Sequence, residues 1–229
     1  VIEEIVPEEV AAVGSRVDAP ETALFPEELA LIASAVPRRR AEFTTARVCA
    51  RRALARLGVA AAPILSGAQR EPIWPDGVVG SITHCAGYRA AAIGRSTRFT
   101  TIGIDVEPNE PLPGGLLEHV SLPQERGRQT RADGTHLDRL LFSAKESAYK
   151  AWFPLARRWL GFEQAAITLE SDGTFDVELL VAGPVKGFRG RWLARDGLIV
   201  TAIATPAQRP RKDQFSHRIS STRQDCPSE

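Results

Sequence analysis

Methionine is missing from the chain altogether, even at position 1. The N-terminus is therefore expected to be processed, truncated or read from an alternative start codon. Cysteine is scarce: Cys49, Cys85 and Cys226 are odd in number and without paired spacing, and the four histidines are scattered. Neither a disulfide framework nor a zinc pattern is legible, and a reducing cytoplasm is the expected location. No stretch approaches eighteen uninterrupted apolar residues, and the opening VIEEIVPEEV has no basic segment followed by an apolar one. Neither membrane spanning nor export is expected. Charge of one sign is not in excess either, 29 basic side chains against 28 acidic giving net +1. No global field draws the chain to nucleic acid or to an anionic membrane, so any preference for anions must be local.

What is present suits a soluble globular protein: 229 residues, 43% hydrophobic and 25% charged, enough for one large domain or two small ones sharing a core. Residues 26–36, PEELALIASAV, open with proline and two glutamates before helical spacing sets in, which predicts a short helix. A second helix is expected from Arg38 to Leu57, stopped by Gly58. After a loop rich in proline and glycine come three short apolar runs, VVGSITH, YRAAAIG and FTTIGIDVEP, read as strands. Residues 107–115, EPNEPLPGG, divide the chain, giving halves of 1–108 and 109–205. The second half predicts a short helix or turn near 116–126, a long helix from about His136 to Trp152, and further strands. The last two strands form a hairpin at Arg195-Asp196-Gly197. A helix followed by strands thus occurs twice, and residues 206–229, polar and aperiodic, are expected to be a disordered tail.

Several residues carry potential chemistry. Asp105 and Glu107 lie two apart on a predicted strand, so both carboxylates share a face while Val106 points into a core. Alternation of this kind also describes any half-exposed strand. Two like charges side by side repel, however, and a cation relieves the cost; magnesium, held by carboxylates, water and substrate phosphates, fits. In FSAKESAYKAW, Glu146 is the best candidate for a third ligand, and Lys150 lies one turn beyond it. The alternative is a surface ion pair worth a few tenths of a kcal/mol. Lys145 points elsewhere, to solvent or to the site's rim. Leu141, Ala144, Ala148 and Trp152 make the buried stripe of that helix, with Leu140 and Tyr149 at its edges. His84 ends a strand before a tight turn, available to a ligand or else simply structural. Arg40, Arg47 and Arg51 fall near one face of the early helix, read as a solvated face, a phosphate clamp or, against the charge balance, a nucleic-acid patch.

GSITHC, IGIDVEP and FSAKESAYKAW, in that order and at that separation, resemble the 4'-phosphopantetheinyl transferases of the Sfp and EntD type. The resemblance runs from about Pro37 to Ala204 and looks closest to actinobacterial members that activate carriers of lipid, polyketide and nonribosomal peptide synthesis. It implies an α/β (α+β) fold of two pseudo-symmetric halves, each a helix on a small, mainly antiparallel sheet, with the active site between them. The implied magnesium ligands are Asp105, Glu107 and Glu146, and the metal would hold the pyrophosphate of coenzyme A. The serine of an apo acyl or peptidyl carrier protein would attack the β-phosphate and 3',5'-adenosine bisphosphate would leave, with Lys150 neutralising charge and Glu146 favoured as the base. His84, with Thr83 beside it, matches a phosphate contact, Arg39 and Arg47 match positions gripping the 3'-phosphate, and Lys145 joins the same anionic cradle. Relatives usually carry a lysine in the loop before the EP dipeptide, whereas ILSGAQREP has none, and Arg70 is the expected substitute. Arg157 and Arg158 with Trp159 and Phe162 are candidates to dock an acidic carrier, the alternative being that Trp159 and Phe162 pack the domain seam. A monomer in the cytoplasm, binding neither nucleic acid nor membrane, is expected; a non-catalytic coenzyme A- or carrier-binding homologue and a phosphohydrolase are the competing readings.

Overall fold

A computed structural model describes residues 1–127, 131 and 133–207. The expected tail from residue 208 onward, and part of the polar loop before the long helix, lie outside the described residues.

The N-terminal half packs one long helix on three strands. Strand β1 (Ala11–Ser15), which the sequence pattern did not reveal, precedes α1 (Pro26–Leu31), a single helical turn and a half. Helix α2 (Pro37–Arg56) starts at a proline whose missing N–H costs a helix nothing in its first turn. Strands β2 (Val78–Cys85) and β3 (Tyr88–Arg95) form a hairpin, and the sheet order is β1-β3-β2, antiparallel throughout. Cys49, Ala50, Ala53 and Leu54 of α2 pack on Val13, Ala91 and Ile93.

The C-terminal half repeats the theme with β4 (Phe99–Pro108), α3 (Leu116–Val120), α4 (Leu137–Ala156), β5 (Ala165–Leu169), β6 (Thr174–Leu179), β7 (Gly187–Arg195) and β8 (Leu198–Pro206). Its sheet runs β4-β8-β7-β6-β5. The hairpin between β7 and β8 turns at Asp196 and Gly197, both at positive φ, as a two-residue primed turn requires. Leu140, Leu141, Ala144, Ala148 and Trp152 are buried against this sheet, the stripe expected from the helical period.

The seam between the halves differs from the expected boundary. A boundary at residue 108 leaves β4 in the N-terminal half, yet its backbone pairs with β8 from Phe99↔Pro206 to Pro108↔Leu198. Its other edge lies alongside β2, where hydroxyls substitute for a backbone ladder: the Ile104 N–H donates to Ser81 Oγ (3.1 Å) and the Val106 N–H to Thr83 Oγ1 (3.1 Å). β4 therefore belongs to one sheet by hydrogen bonding and faces the other by its free edge. Ile102, Ile104 and Val106 are buried with Tyr88, Ala90 and Ala92 of the N-terminal half. The alternate residues, Thr101, Gly103 and Asp105, meet α4: Thr101 Oγ1 donates to Ala151 O (2.8 Å), and a Cβ on Gly103 would stand 2.1 Å from Ser147 O. Glycine at 103 is what lets α4 lie directly on β4.

Candidate active site

One stripe of α4 faces the carboxylates of β4. Arg139, Ser143, Glu146 and Lys150 follow each other at steps of three and four residues, which places them on one side of a 3.6-residue helix. Arg139 Nη1 donates to Glu107 Oε2 (2.9 Å), Ser143 Oγ to Asp105 Oδ2 (2.9 Å) and Lys150 Nζ to Asp105 Oδ1 (2.7 Å). From β2, Thr83 Oγ1 donates to the same Asp105 Oδ1 (3.1 Å). Asp105 is thus a buried hub for β2, β4 and α4. Glu146 is half-buried and, among the described residues, has neither a hydrogen bond nor an ion pair. Burial raises its pKa, Lys150 opposes the shift and Asp105 adds to it.

Along β2 three features follow in order. A cavity of about 720 Å³ is walled by Val78–Ile82, by Thr100, Thr101 and Ile102, by the loop carrying Arg70 and Trp74, and by Tyr149, Lys150 and Phe153 of α4. Next comes the cluster of Thr83, Asp105 and Lys150. At the strand's end His84 Nε2 lies 2.9 Å from Arg39 Nη1, at the start of α2. An apolar-walled cleft, an acid–lysine centre and an exposed cationic corner therefore share one seam.

Comparison with known proteins agrees with this arrangement on both sides of the seam. Residues 27–94 match the model of the 4'-phosphopantetheinyl transferase N-terminal domain, and residues 101–202 match that of the 4'-phosphopantetheinyl transferase superfamily. The chain is 54% identical over 201 residues to 4'-phosphopantetheinyl transferase Svp of Streptomyces mobaraensis, covering 83% of this chain and 82% of that protein. The chain belongs to the 4'-phosphopantetheinyl transferase superfamily. Similarity extends to 4'-phosphopantetheinyl transferase PptT of Mycobacterium tuberculosis, 51% identical over 199 residues and covering 81% of this chain and 88% of the relative. It reaches enterobactin synthase component D of Salmonella typhi at 32% over 195 residues, 77% and 76% of the two chains. This phosphopantetheinyl transferase is accordingly an enzyme.

The transferase fold places the other expected site residues unequally. Lys145 requires correction: its side chain is buried in the C-terminal half, donating to Phe162 O (2.8 Å) and Ala165 O (2.9 Å) and pairing with Glu125 (2.7 Å). It cannot reach a ligand at the seam, because its three donors are used in anchoring the 3-10 turn Pro123–Glu125 to β5. Lys145→Met is expected to lower stability by about 3 kcal/mol, since Glu125 stays buried without its partner, while shifting KM for the nucleotide substrate by less than about twofold. Chemical unfolding and initial rates on the same samples separate the two effects.

Thr83 also differs from expectation. Its hydroxyl donates to Asp105 and accepts from the Val106 N–H and from Lys150 (3.3 Å), which exhausts one donor and two lone pairs. Thr83 is a seam residue, with no hydrogen-bonding capacity left for a phosphate. Arg47 is only 5% exposed, bonded to Ile64 O (2.8 Å) and Ser66 Oγ (3.2 Å) and stacked on Phe43. Burial brings its pKa down to about 10, with Glu28 opposing and Arg39 reinforcing the shift. Its charge stands behind Arg39, which is exposed. Arg40 and Arg51, expected near the same face, are taken by Glu21 and Glu28. Arg70 is exposed, at φ 65°, on the rim of the cavity. Arg139 and Ser143 were missed by sequence reasoning, although extending the Glu146–Lys150 spacing backward along the helix reaches both.

Burial first, then the neighbouring Asp105, push the Glu107 carboxyl up to about 7 in spite of Arg139. A folded-state value above the ordinary 4.5 means that protonated Glu107 stabilises the fold below that pH, and that the contribution is lost as pH rises through about 7. The metal-free protein should therefore lose thermal stability relative to Glu107→Gln between about pH 5 and about pH 7.5. Parallel melting curves for the two proteins across that window would contradict the assignment.

Proposed function

We propose that this enzyme transfers the 4'-phosphopantetheine arm of coenzyme A to a serine of apo acyl and peptidyl carrier proteins, dependent on magnesium. The observation that carries the reading is the α4 stripe: Lys150 bonds Asp105 and Glu146 stands within reach of both their charges at the seam, beside a cavity large enough for an extended arm. Asp105, Glu107 and Glu146 fit a magnesium ion as hard oxygen donors whose burial and mutual repulsion a cation would relieve. Among the described residues they are not preassembled as a three-carboxylate cage, because Asp105 is held by Lys150 and Glu107 by Arg139.

In this reading, Arg39, steadied by His84 and backed by Arg47, holds the nucleotide's 3'-phosphate, and guanidinium groups suit that task by shape and permanent charge. Arg70 adds charge at the cavity rim. Ile82, Ile102 and Phe153 exclude water from the pantetheine arm. Magnesium would neutralise the pyrophosphate oxygens. The carrier's serine oxygen bonds to the β-phosphorus while that phosphorus parts from the oxygen bridging to the α-phosphate. 3',5'-Adenosine bisphosphate leaves with the bridging oxygen. The serine proton passes to Glu146, whose burial makes it a better proton acceptor near neutral pH than an exposed carboxylate. Lys150 offsets the charge gathering on the phosphoryl oxygens.

Trp159, 67% exposed, packs against Tyr149 beside the cavity with the rings tilted by 50°, and exposed Arg157 precedes it by two residues. These suit an acidic carrier, whereas Arg158 folds back to Ala182 O and the Trp152 ring, and Phe162 packs on Phe142. The reading places a monomer in the cytoplasm, where carriers and coenzyme A meet. Intact mass spectrometry of an apo carrier incubated with enzyme, coenzyme A and magnesium tests it. A gain of about 340 Da, abolished by chelator, is expected for transfer of the arm. Phosphopantetheine released without an acceptor would mean a hydrolase, and coenzyme A binding without turnover on any carrier would mean a non-catalytic homologue.

A further inference from the structure

Glu42 has no part in the reaction as described, yet its carboxylate is 7% exposed in the midst of cations. Oε1 accepts from Arg38 Nε (3.0 Å), Oε2 lies 3.6 Å from His84 Nδ1, and the charge of Arg89 on β3 also bears on it. On the opposite side of the imidazole, Nε2 is 2.9 Å from Arg39 Nη1. A guanidinium has five donors and no acceptor, so at this contact the arginine must donate and Nε2 must offer its lone pair. The neutral ring then carries its proton on Nδ1, the nitrogen turned toward Glu42. Burial depresses the pKa of His84, Arg39 and Lys150 adding to the shift while Glu42 and Asp105 oppose it, which favours the neutral ring. Arg39 itself is exposed and long, and holding it costs rotamer entropy that a fixed acceptor offsets.

We propose that Glu42 is a positioning residue: it fixes His84 as the Nδ1–H tautomer, and the Nε2 lone pair so presented holds Arg39 ready for an incoming phosphate. Three side chains thus act in series, carboxylate to imidazole to guanidinium, and only the last needs to touch the ligand. The arrangement follows the general rule that a histidine's free nitrogen is set by what the other nitrogen bonds. Its functional consequence rests on the nucleotide-phosphate reading of Arg39 and His84 given above; its geometry does not.

Two measurements on the ligand-free and working enzyme test it. Long-range proton–nitrogen NMR of uniformly labelled protein should show His84 as Nδ1–H in wild type, a mixture or the other tautomer in Glu42→Ala, and recovery in Glu42→Gln, whose amide oxygen keeps an acceptor facing Nδ1. In kinetics, Glu42→Ala should raise KM for coenzyme A about tenfold, in line with removing a residue that orients a ligand-binding one. kcat and the KM for 3'-dephospho-coenzyme A should change little, and Glu42→Gln should restore most of the loss. A residue that only supports the fold would instead raise both KM values together, with no benefit from glutamine, and that outcome overturns the proposal. So does an Nε2–H tautomer in wild type. Wild-type enzyme that uses coenzyme A and its dephospho form equally, with the tautomer still dependent on Glu42, would remove the nucleotide assignment and leave the relay standing.

Discussion

Glu146→Gln is expected to slow carrier labelling by about two to four orders of magnitude, the range that loss of a general base produces. The substitution suits the question because Glu146, half-buried, has no hydrogen bond or ion pair among the described residues. An isosteric amide therefore breaks no contact and leaves no partner orphaned, and the fold should be retained. What it removes is a carboxylate whose pKa burial has raised, which is the property that equips it to take a serine proton. Single-turnover labelling at saturating coenzyme A gives the loss in the chemical step directly. Repeating it over a magnesium titration separates two roles: a defect that magnesium repairs belongs to a metal ligand, and one that persists belongs to a base. Labelling at the wild-type rate would sink both assignments.

Asp105→Ala should be the more damaging change, because it acts on chemistry and fold together. Labelling is expected to vanish, and stability to fall by about 3 kcal/mol, the order seen when a largely buried charge loses its partner. Three groups lose their acceptor at once: Thr83 of β2, and Ser143 and Lys150 of α4. Lys150 retains Ile104 O (3.1 Å) and some solvent, which keeps the cost from being larger. Intact mass of the carrier measures the first quantity and denaturant unfolding the second. Thr83→Val is the control: with Asp105 and Lys150 still paired, it should cost about 2 kcal/mol, from the buried Val106 N–H left without an acceptor. Equal losses for the two variants would mean that the seam, rather than Asp105, holds the halves together.

The elements were legible where a period was long enough to read. α2 and α4 appear within a few residues of expectation, as do β2, β3, β4 and the Asp196-Gly197 hairpin. β1, five residues of AAVGS, has too little alternation to declare itself as a strand. The placement of β4 was not legible either, because local pattern tells that a strand exists and not which neighbour completes its ladder. Lys145 and Thr83 show the same limit at the level of side chains. Adjacent to residues with chemical promise, they are turned by the helix and strand periods toward an internal carboxylate and an internal seam.

By itself the sequence determined the chemical inventory: paired carboxylates at the strand period, an acid and a lysine at the helix period, and three segments whose order marks the family. These are properties of spacing, and spacing along a regular element is local geometry. Only the tertiary structure decided which of those groups meet. Glycine at position 103 allows α4 to settle on β4, so that Lys150 reaches Asp105, Arg139 reaches Glu107 and Glu146 stands beside them with no partner among the described residues. Glu42 behind His84 belongs to the same category, since α2 and the end of β2 are brought together by packing and by nothing in either segment alone.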